Sequence, residues 1–333
     1  MKLEIIAELA QGFEGRLGQA RLLVKAAAAA GADAAKLQLV YADELATPDY
    51  KHYALFRTLE MSDEVWADLA VAANQSGIAL QLDIFGGRSL QLAERIGVGA
   101  IKLHPTDIAN IGLLEEVARS RLSRVLIGAG GAHMAELTGA LDLLKGKQVV
   151  VLLGFQGYPT PTETNQIARV RALAEKLSRS HPHAVVGFAD HALPDSPLCY
   201  ALAAAALGAG ARVVEKHLTL GQVMKLEDHE SALNPDEFAE FVRVIRGCDE
   251  AIGTTEEVED FGMSQSEKDY RKTIRRHVVS TRSLAKDSFL TPADLTLKRT
   301  SAENPLMDLV QAYSKRVRSD LVANAPVTAA DLE

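Results

Sequence analysis

Short apolar runs alternate with longer stretches of helical periodicity along most of the chain. The runs are LEIIAEL (3–9), AAKLQLV (34–40), IALQLDIF (78–85), GAIKLHP (99–105), RVLIGAG (124–130), QVVVLLGF (148–155), HAVVGFADH (183–191) and ARVVEKHL (211–218). Each has the length and the β-branched content of a buried strand. Between them lie segments such as GQARLLVKAAAAAGA (18–32) and TNQIARVRALAEKLSRS (164–180), whose apolar residues recur at three- and four-residue spacing. Strict alternation of strand and helix implies parallel pairing, because a parallel neighbour needs a crossover and a helix provides it. Eight such units in about 250 residues predict a (β/α)8 TIM barrel. A doubly wound open sheet is the competing architecture, and it has no need of polar residues at nearly every strand's C-terminal end.

Those ends are polar here. The run VVEKHLTL (213–220) finishes on a carboxylate, an ammonium and an imidazole. The other ends bring Glu8, Lys36 with Gln38, Asp83, Lys102 with His104, Gln156 with Tyr158, Asp190 with His191, and Glu215 with His217. Strand five is the exception and ends in GAGGAH. A single polar strand end marks where a strand meets solvent. Seven of eight describe the catalytic face of a barrel.

The pattern changes after residue 254. GTTEEVEDFGMSQSEKDYRK is polar, acidic and poor in periodic apolar residues, so 255–271 is expected to be a linker. Residues 272–333 read as short strands and turns, with LTPADL and VTAADL as an internal echo, and are expected to form a small β-rich domain after a barrel over 1–254. The composition is that of a globular protein, with 47% hydrophobic and 24% charged residues among 333. A net charge of −8 argues against nucleic-acid and membrane-surface partners. The two cysteines, Cys199 and Cys248, each fall in a predicted helix and suit a reducing cytoplasm. No signal peptide and no membrane span is expected from the sequence.

The whole chain resembles the sialic acid synthase family, whose members make N-acetylneuraminate and other nonulosonic acids. The resemblance rests on IIAE with Glu8, AGADAAKLQ with Lys36 and Gln38, YPTP at 158–161, GFADH with His191, EKHLTL with His217, and EDHESALNPDEF beginning near Asp228. The tail resembles the antifreeze-like (SAF) domain of these synthases, with LTLKR supplying Arg299. The resemblance implies condensation of phosphoenolpyruvate with an N-acetylmannosamine-type aldehyde. C3 of the enol attacks the aldehyde carbon, water adds at C2, and phosphate leaves by C–O cleavage. It implies a divalent metal, Mn²⁺ or Mg²⁺, on His191 and His217 as the electrophile. Glu8 and Glu215 would act beside it as acid or base, with Lys36. Gln38, Lys102, Asp107, Gln156, Tyr158 and Asp228 would contact substrate. Arg299 would be lent across a domain-swapped homodimer.

The departures fall in one place. Positions that grip the donor phosphate in the family read Asp83, Pro105, Gly128, Gln156 and Ala189. The family's STPFD is LDIFG here, its NHNG is GFEG, and PDSPL follows His191 as an insertion. A carboxylate about 4 Å from a phosphate charge, at an effective dielectric near 20, repels it by roughly 4 kcal/mol. Lys36 and Lys102 are retained, while His104, Thr106, His133 and Arg88 are candidate replacement anion donors. Three functions follow in order: a synthase using phosphoenolpyruvate, a metal-dependent aldolase or lyase acting on a pyruvate-like or sugar acid without phosphate, and a non-catalytic binding protein.

Overall fold

The computed structural model describes residues 2–154, 157–253 and 261–333, and the chain divides into two compact units, 1–253 and 254–333. The first is a closed parallel barrel of eight strands: β1 (Glu4–Ala10), β2 (Ala34–Gln38), β3 (Ala79–Ile84), β4 (Ala100–Leu103), β5 (Arg124–Gly128), β6 (Gln148–Leu153), β7 (Ala184–Asp190) and β8 (Val213–His217). Each strand pairs with the next, and β8 closes on β1 with Glu8 opposite His217. All eight expected strands form.

Strand periodicity sorts the side chains into two sets. Ile5, Ala7, Leu37, Leu82, Ile101, Ile127, Val151, Phe188 and Val214 are buried in the shell between barrel and helices. Ile6, Ala34, Ala100, Leu126, Val150, Leu152, Ala189 and Val213 fill the barrel interior. Below this apolar layer, Glu4 accepts from Gln81 Nε2 and Arg124 Nη1, both at 2.9 Å, and plugs the N-terminal end. Above it the interior positions become Glu8, Lys36, Asp83, Lys102 and Glu215, so the apolar layer is the floor beneath the charges.

The helices follow their sequence signals. Pro235–Ile252 begins with Asn234 as its cap and Pro235 at the first turn; Glu237 accepts from the Asn234 amide at 2.9 Å. Its buried face is Phe238, Phe241, Val242 and Ile245, at helical spacing. Burial of each such side chain contributes about 1.5–3 kcal/mol. Among the described residues no helix is long and apolar enough to cross a membrane.

The stretch expected as a linker, 255–271, falls partly outside the described residues. A helix, Gln265–Ile274, begins in its described part and runs past its expected end. The start signal is Ser264 followed by Glu267: the Ser264 hydroxyl accepts from the Glu267 amide at 3.2 Å, and the Glu267 carboxylate accepts from the Ser264 amide at 2.7 Å.

The second unit holds an antiparallel pair, β9 (His277–Ser280) with β10 (Leu295–Lys298), over a core of Val278, Leu284, Leu290, Leu295, Ala312, Val317, Leu321, Val327 and Leu332. The sequence echo is also a structural repeat. In LTPADL, Asp294 accepts from the Thr291 amide at 2.9 Å; in VTAADL, Asp331 accepts from the Thr328 amide at 2.8 Å. Each repeat places its first and last apolar residues in this core.

Candidate active site at the barrel mouth

The C-terminal strand ends surround a cavity of about 330 Å³. It is lined by Glu8, Asp83, Lys102 and Glu215 at its base, by Gln38, Tyr158, His191, His217 and Asp228 on one side, and by His104, Pro105, Gly128, Gly130, Leu152 and Ala189 on the other. Lys36 lies beneath, wholly buried.

The base is a cluster of ions. Lys36 Nζ bonds to Glu8 and stands 2.6 Å from Asp83 Oδ1 and 3.5 Å from Glu215 Oε2. Lys102 Nζ stands 2.9 Å from Glu215 Oε1, 3.5 Å from Asp83 Oδ2 and 3.6 Å from Glu8 Oε2. Glu8 is fixed at both oxygens, because β1 departs from regular pairing between Glu8 and Ala10 and the Ala10 amide donates to Glu8 Oε1 at 2.8 Å. Burial, opposed by Lys36 and reinforced by Asp83 and Glu215, pushes the Glu8 carboxyl up to about 7. Burial acts on Glu215 in the same sense, yet Lys102 and Lys36 hold it well below the usual carboxylate range. Burial of Lys102 is outweighed by Asp83, Glu215 and Glu8, which keep it charged. One carboxyl poised near neutrality beside one held ionised is the arrangement of an acid–base pair.

The two histidines stand side by side, their ring centroids 5.2 Å apart. His191 Nδ1 donates to the Ala189 carbonyl at 2.9 Å, which makes Nε2 the lone-pair nitrogen. Burial lowers His191 to about 4, and burial together with His191 lowers His217 well below its ordinary value. Both rings are therefore neutral at physiological pH, as metal ligands must be. Among the described residues no group of three or more His, Cys, Asp or Glu is arranged to hold a metal ion. The donor set these residues offer is therefore two adjacent imidazoles and no third ligand among the described residues.

The Tyr158 ring packs on both imidazoles, with centroids 5.8 Å from His191 and 5.4 Å from His217, and its hydroxyl donates to the Asp228 carbonyl oxygen. Gln11, unnoticed in the sequence, arranges the same side: its Nε2 donates to Gln38 Oε1 at 2.8 Å and its backbone amide to Asp228 Oδ2 at 3.4 Å. Burial raises Asp228 to about 6. Gln11 sits just past the irregular end of β1, where strand periodicity no longer flags a side chain.

Several expected residues lie elsewhere. Asp190 alternates with the cavity-lining Ala189 and His191 and faces outward, buried against Lys216 Nζ at 3.2 Å. Thr106 and Asp107 lie on a short turn, Pro105–Asp107, and do not line the cavity; Thr106 donates to Asp107 at 3.2 Å, and His104 Nδ1 is 3.1 Å from the Thr106 hydroxyl. His133 lines a separate cleft with Met134, Leu137, Arg169 and Lys176, and Arg88 stacks over the Tyr41 ring at 3.6 Å. Neither is a replacement anion donor in this cavity. Gln156 lies outside the described residues. Arg299 is exposed in the second unit, just after β10.

The likeness to known proteins runs along the whole chain. It is 27% identical to the N,N'-diacetyllegionaminic acid synthase of Legionella pneumophila, covering 96% of this chain and 91% of that protein. With the spore coat polysaccharide biosynthesis protein SpsE of Bacillus subtilis it shares 31% identity over 73% of this chain and 66% of that protein. The crystal structure of a spore coat polysaccharide biosynthesis protein E from Chromobacterium violaceum superposes with a TM-score of 0.83 over all of both chains at 24% identity, which speaks to the fold. Residues 23–257, from the helix after β1 to beyond β8, match the NeuB family, and this chain belongs to that family.

Proposed function

We propose that the protein condenses phosphoenolpyruvate, or a closely related three-carbon enol donor, with the aldehyde of an N-acetylmannosamine-type sugar to give a nonulosonic 2-keto acid. Family membership makes it a carbon–carbon bond-forming transferase of the N-acetylneuraminate synthase type. The observation that carries the finer reading is the meeting of two neutral imidazoles with a near-neutral Glu8 and an ionised Glu215 in one cavity. A divalent ion, Mn²⁺ or Mg²⁺, held by His191 and His217 would supply a Lewis acid for the aldehyde oxygen, its other positions left to substrate and water. Glu8 gives a proton to the oxygen that becomes an alkoxide, or takes one from the water that adds at C2. Gln38, Tyr158 and Asp228 hold the sugar hydroxyls. In the same reading the second unit is an antifreeze-like (SAF) domain, and Arg299 reaches the barrel of a partner in a domain-swapped homodimer.

A second reading, a metal-dependent aldolase or lyase on a pyruvate-like acid, is favoured by one observation. On the wall, Pro105, Gly128, Leu152 and Ala189 offer no side-chain donor to a phosphate, and among the described residues only His104 there carries one. One assay tests both: incubate protein and Mn²⁺ with the amino-sugar aldehyde and either phosphoenolpyruvate or pyruvate, and follow 2-keto acid and phosphate together. Keto acid with equimolar phosphate supports the synthase. Keto acid from pyruvate alone supports the aldolase.

A further inference from the structure

The ions at the base of the cavity form a closed set. Each ammonium carries three N–H donors, and each stands within 3.6 Å of all three carboxylates, Glu8, Asp83 and Glu215. Two cations thus face three carboxylates. Lys102 hydrogen-bonds to Glu215 at 2.9 Å, while Asp83 and Glu8 stand 3.5 and 3.6 Å from its ammonium, so an anionic group entering the cavity competes with these carboxylates for Lys102.

The three carboxylates are not held equally. Glu8 is anchored at its second oxygen by the Ala10 amide at 2.8 Å, and Glu215 makes the direct 2.9 Å bond to Lys102. Asp83 lines the cavity, and its Oδ2 makes no hydrogen bond among the described residues, with Lys102 Nζ 3.5 Å away. It is also the shortest of the three side chains, fixed on β3 opposite Lys102 of β4, so it stays beside the lysine where both line the cavity. Among the described residues of the wall, His104 is the one side chain with a hydrogen-bond donor. A Cβ on Gly128 would come within 2.6 Å of the Pro105 ring, so that ring takes up the space a side chain on β5 would need to reach the ligand.

We propose that Asp83 is a specificity-determining residue: a built-in anion that competes with the donor's phosphate for Lys102 and Lys36, weakening phosphoenolpyruvate and favouring a donor that carries less negative charge. The proposal rests on the synthase reading for its choice of ligands. Its mechanism is competition for charge. A phosphate dianion meets a carboxylate where it needs an ammonium, whereas a monoanionic donor meets half of that repulsion.

The test is equilibrium binding to the full chain with Mn²⁺ and no aldehyde, so that no product forms. Phosphoenolpyruvate and pyruvate are titrated calorimetrically into the wild type, Asp83→Asn and Asp83→Thr, and thermal unfolding checks that each variant is folded. Asp83→Asn keeps the side-chain shape and carries the test alone if Asp83→Thr does not fold. We expect phosphoenolpyruvate to bind the variants at least tenfold tighter than the wild type, pyruvate to gain less, and Lys102→Met in the Asp83→Asn background to erase the gain. An unchanged or weaker phosphoenolpyruvate affinity in folded Asp83→Asn overturns the proposal, and so does a gain for pyruvate as large as that for phosphoenolpyruvate. The synthase reading fails separately, if no carbon–carbon bonded product forms when the aldehyde is added.

Discussion

Replacing Lys216 by Met should be among the most damaging single changes in the barrel, although Lys216 does not line the cavity. Its ammonium and the Asp190 carboxylate are wholly buried and 3.2 Å apart. The ammonium also donates to the Ala192 carbonyl at 2.9 Å, while the Ala192 amide donates to Asp190 at 2.8 Å. Asp190 and Lys216 are register partners on β7 and β8, and each immediately precedes one of the two histidines. Lys216→Met leaves Asp190 buried with the Ala192 amide as its remaining hydrogen-bond donor and strips the Ala192 carbonyl of its donor. Breaking a buried pair in this way costs about 3–5 kcal/mol. Removing both charges avoids the orphan, so Asp190→Leu with Lys216→Met should recover more than half of the loss. Urea unfolding of the three proteins measures these values. A second readout is Mn²⁺ affinity, which should fall in Lys216→Met because the two imidazoles lose their common brace. A loss of stability below about 1 kcal/mol for Lys216→Met would refute the reasoning.

Three further outcomes follow from the same geometry. His217→Ala should lower Mn²⁺ affinity at least tenfold by calorimetry while leaving the barrel folded, since the site keeps one imidazole of two. Asp228→Asn should stabilise the protein at pH 7: burial raises Asp228 to about 6, so its favourable contribution is full below the unfolded value and is lost as pH rises through the folded one. The gain, about 1 kcal/mol because solvent screens this half-buried group, should vanish near pH 4 in urea titrations, and sugar binding should weaken at the same time. Residues 1–271 expressed alone should give a folded barrel, since its eight strands and their helices are complete there, but with turnover lost for want of Arg299; full turnover would exclude the swapped arginine.

The sequence carried the barrel because strand and helix periods alternate without a break, and the interior then follows from parity: Ile6 to Glu8 and Val213 to Glu215 are one strand step each. It carried the identity of the ions for the same reason. Their pairing was not legible, because which lysine meets which carboxylate depends on strand stagger around a closed barrel. Asp190 shows the limit of reading strand ends. Its neighbours Ala189 and His191 face inward, so Asp190 must face out, and only the Lys216 contact explains a buried charge there. Gln11 was missed because it follows an irregularity in β1. Asp107 was expected in the site from the family resemblance and Thr106 as a replacement anion donor, but the chain turns at Pro105 and neither lines the cavity. The Ser264–Glu267 cap was legible in principle, yet the polar composition around it outweighed a two-residue signal.

The central claim is that this cavity joins a three-carbon donor to an aldehyde sugar, with His191 and His217 holding the metal that makes it possible. Mass spectrometry of reactions containing Mn²⁺, the N-acylated amino-sugar aldehyde and either phosphoenolpyruvate or pyruvate tests it most directly. The expected product is a new 2-keto acid whose mass is the sum of the aldehyde and one pyruvic acid, formed by the wild type and absent with the His191→Ala/His217→Ala double variant. No such product with either donor, or the same yield from the double variant, would contradict it.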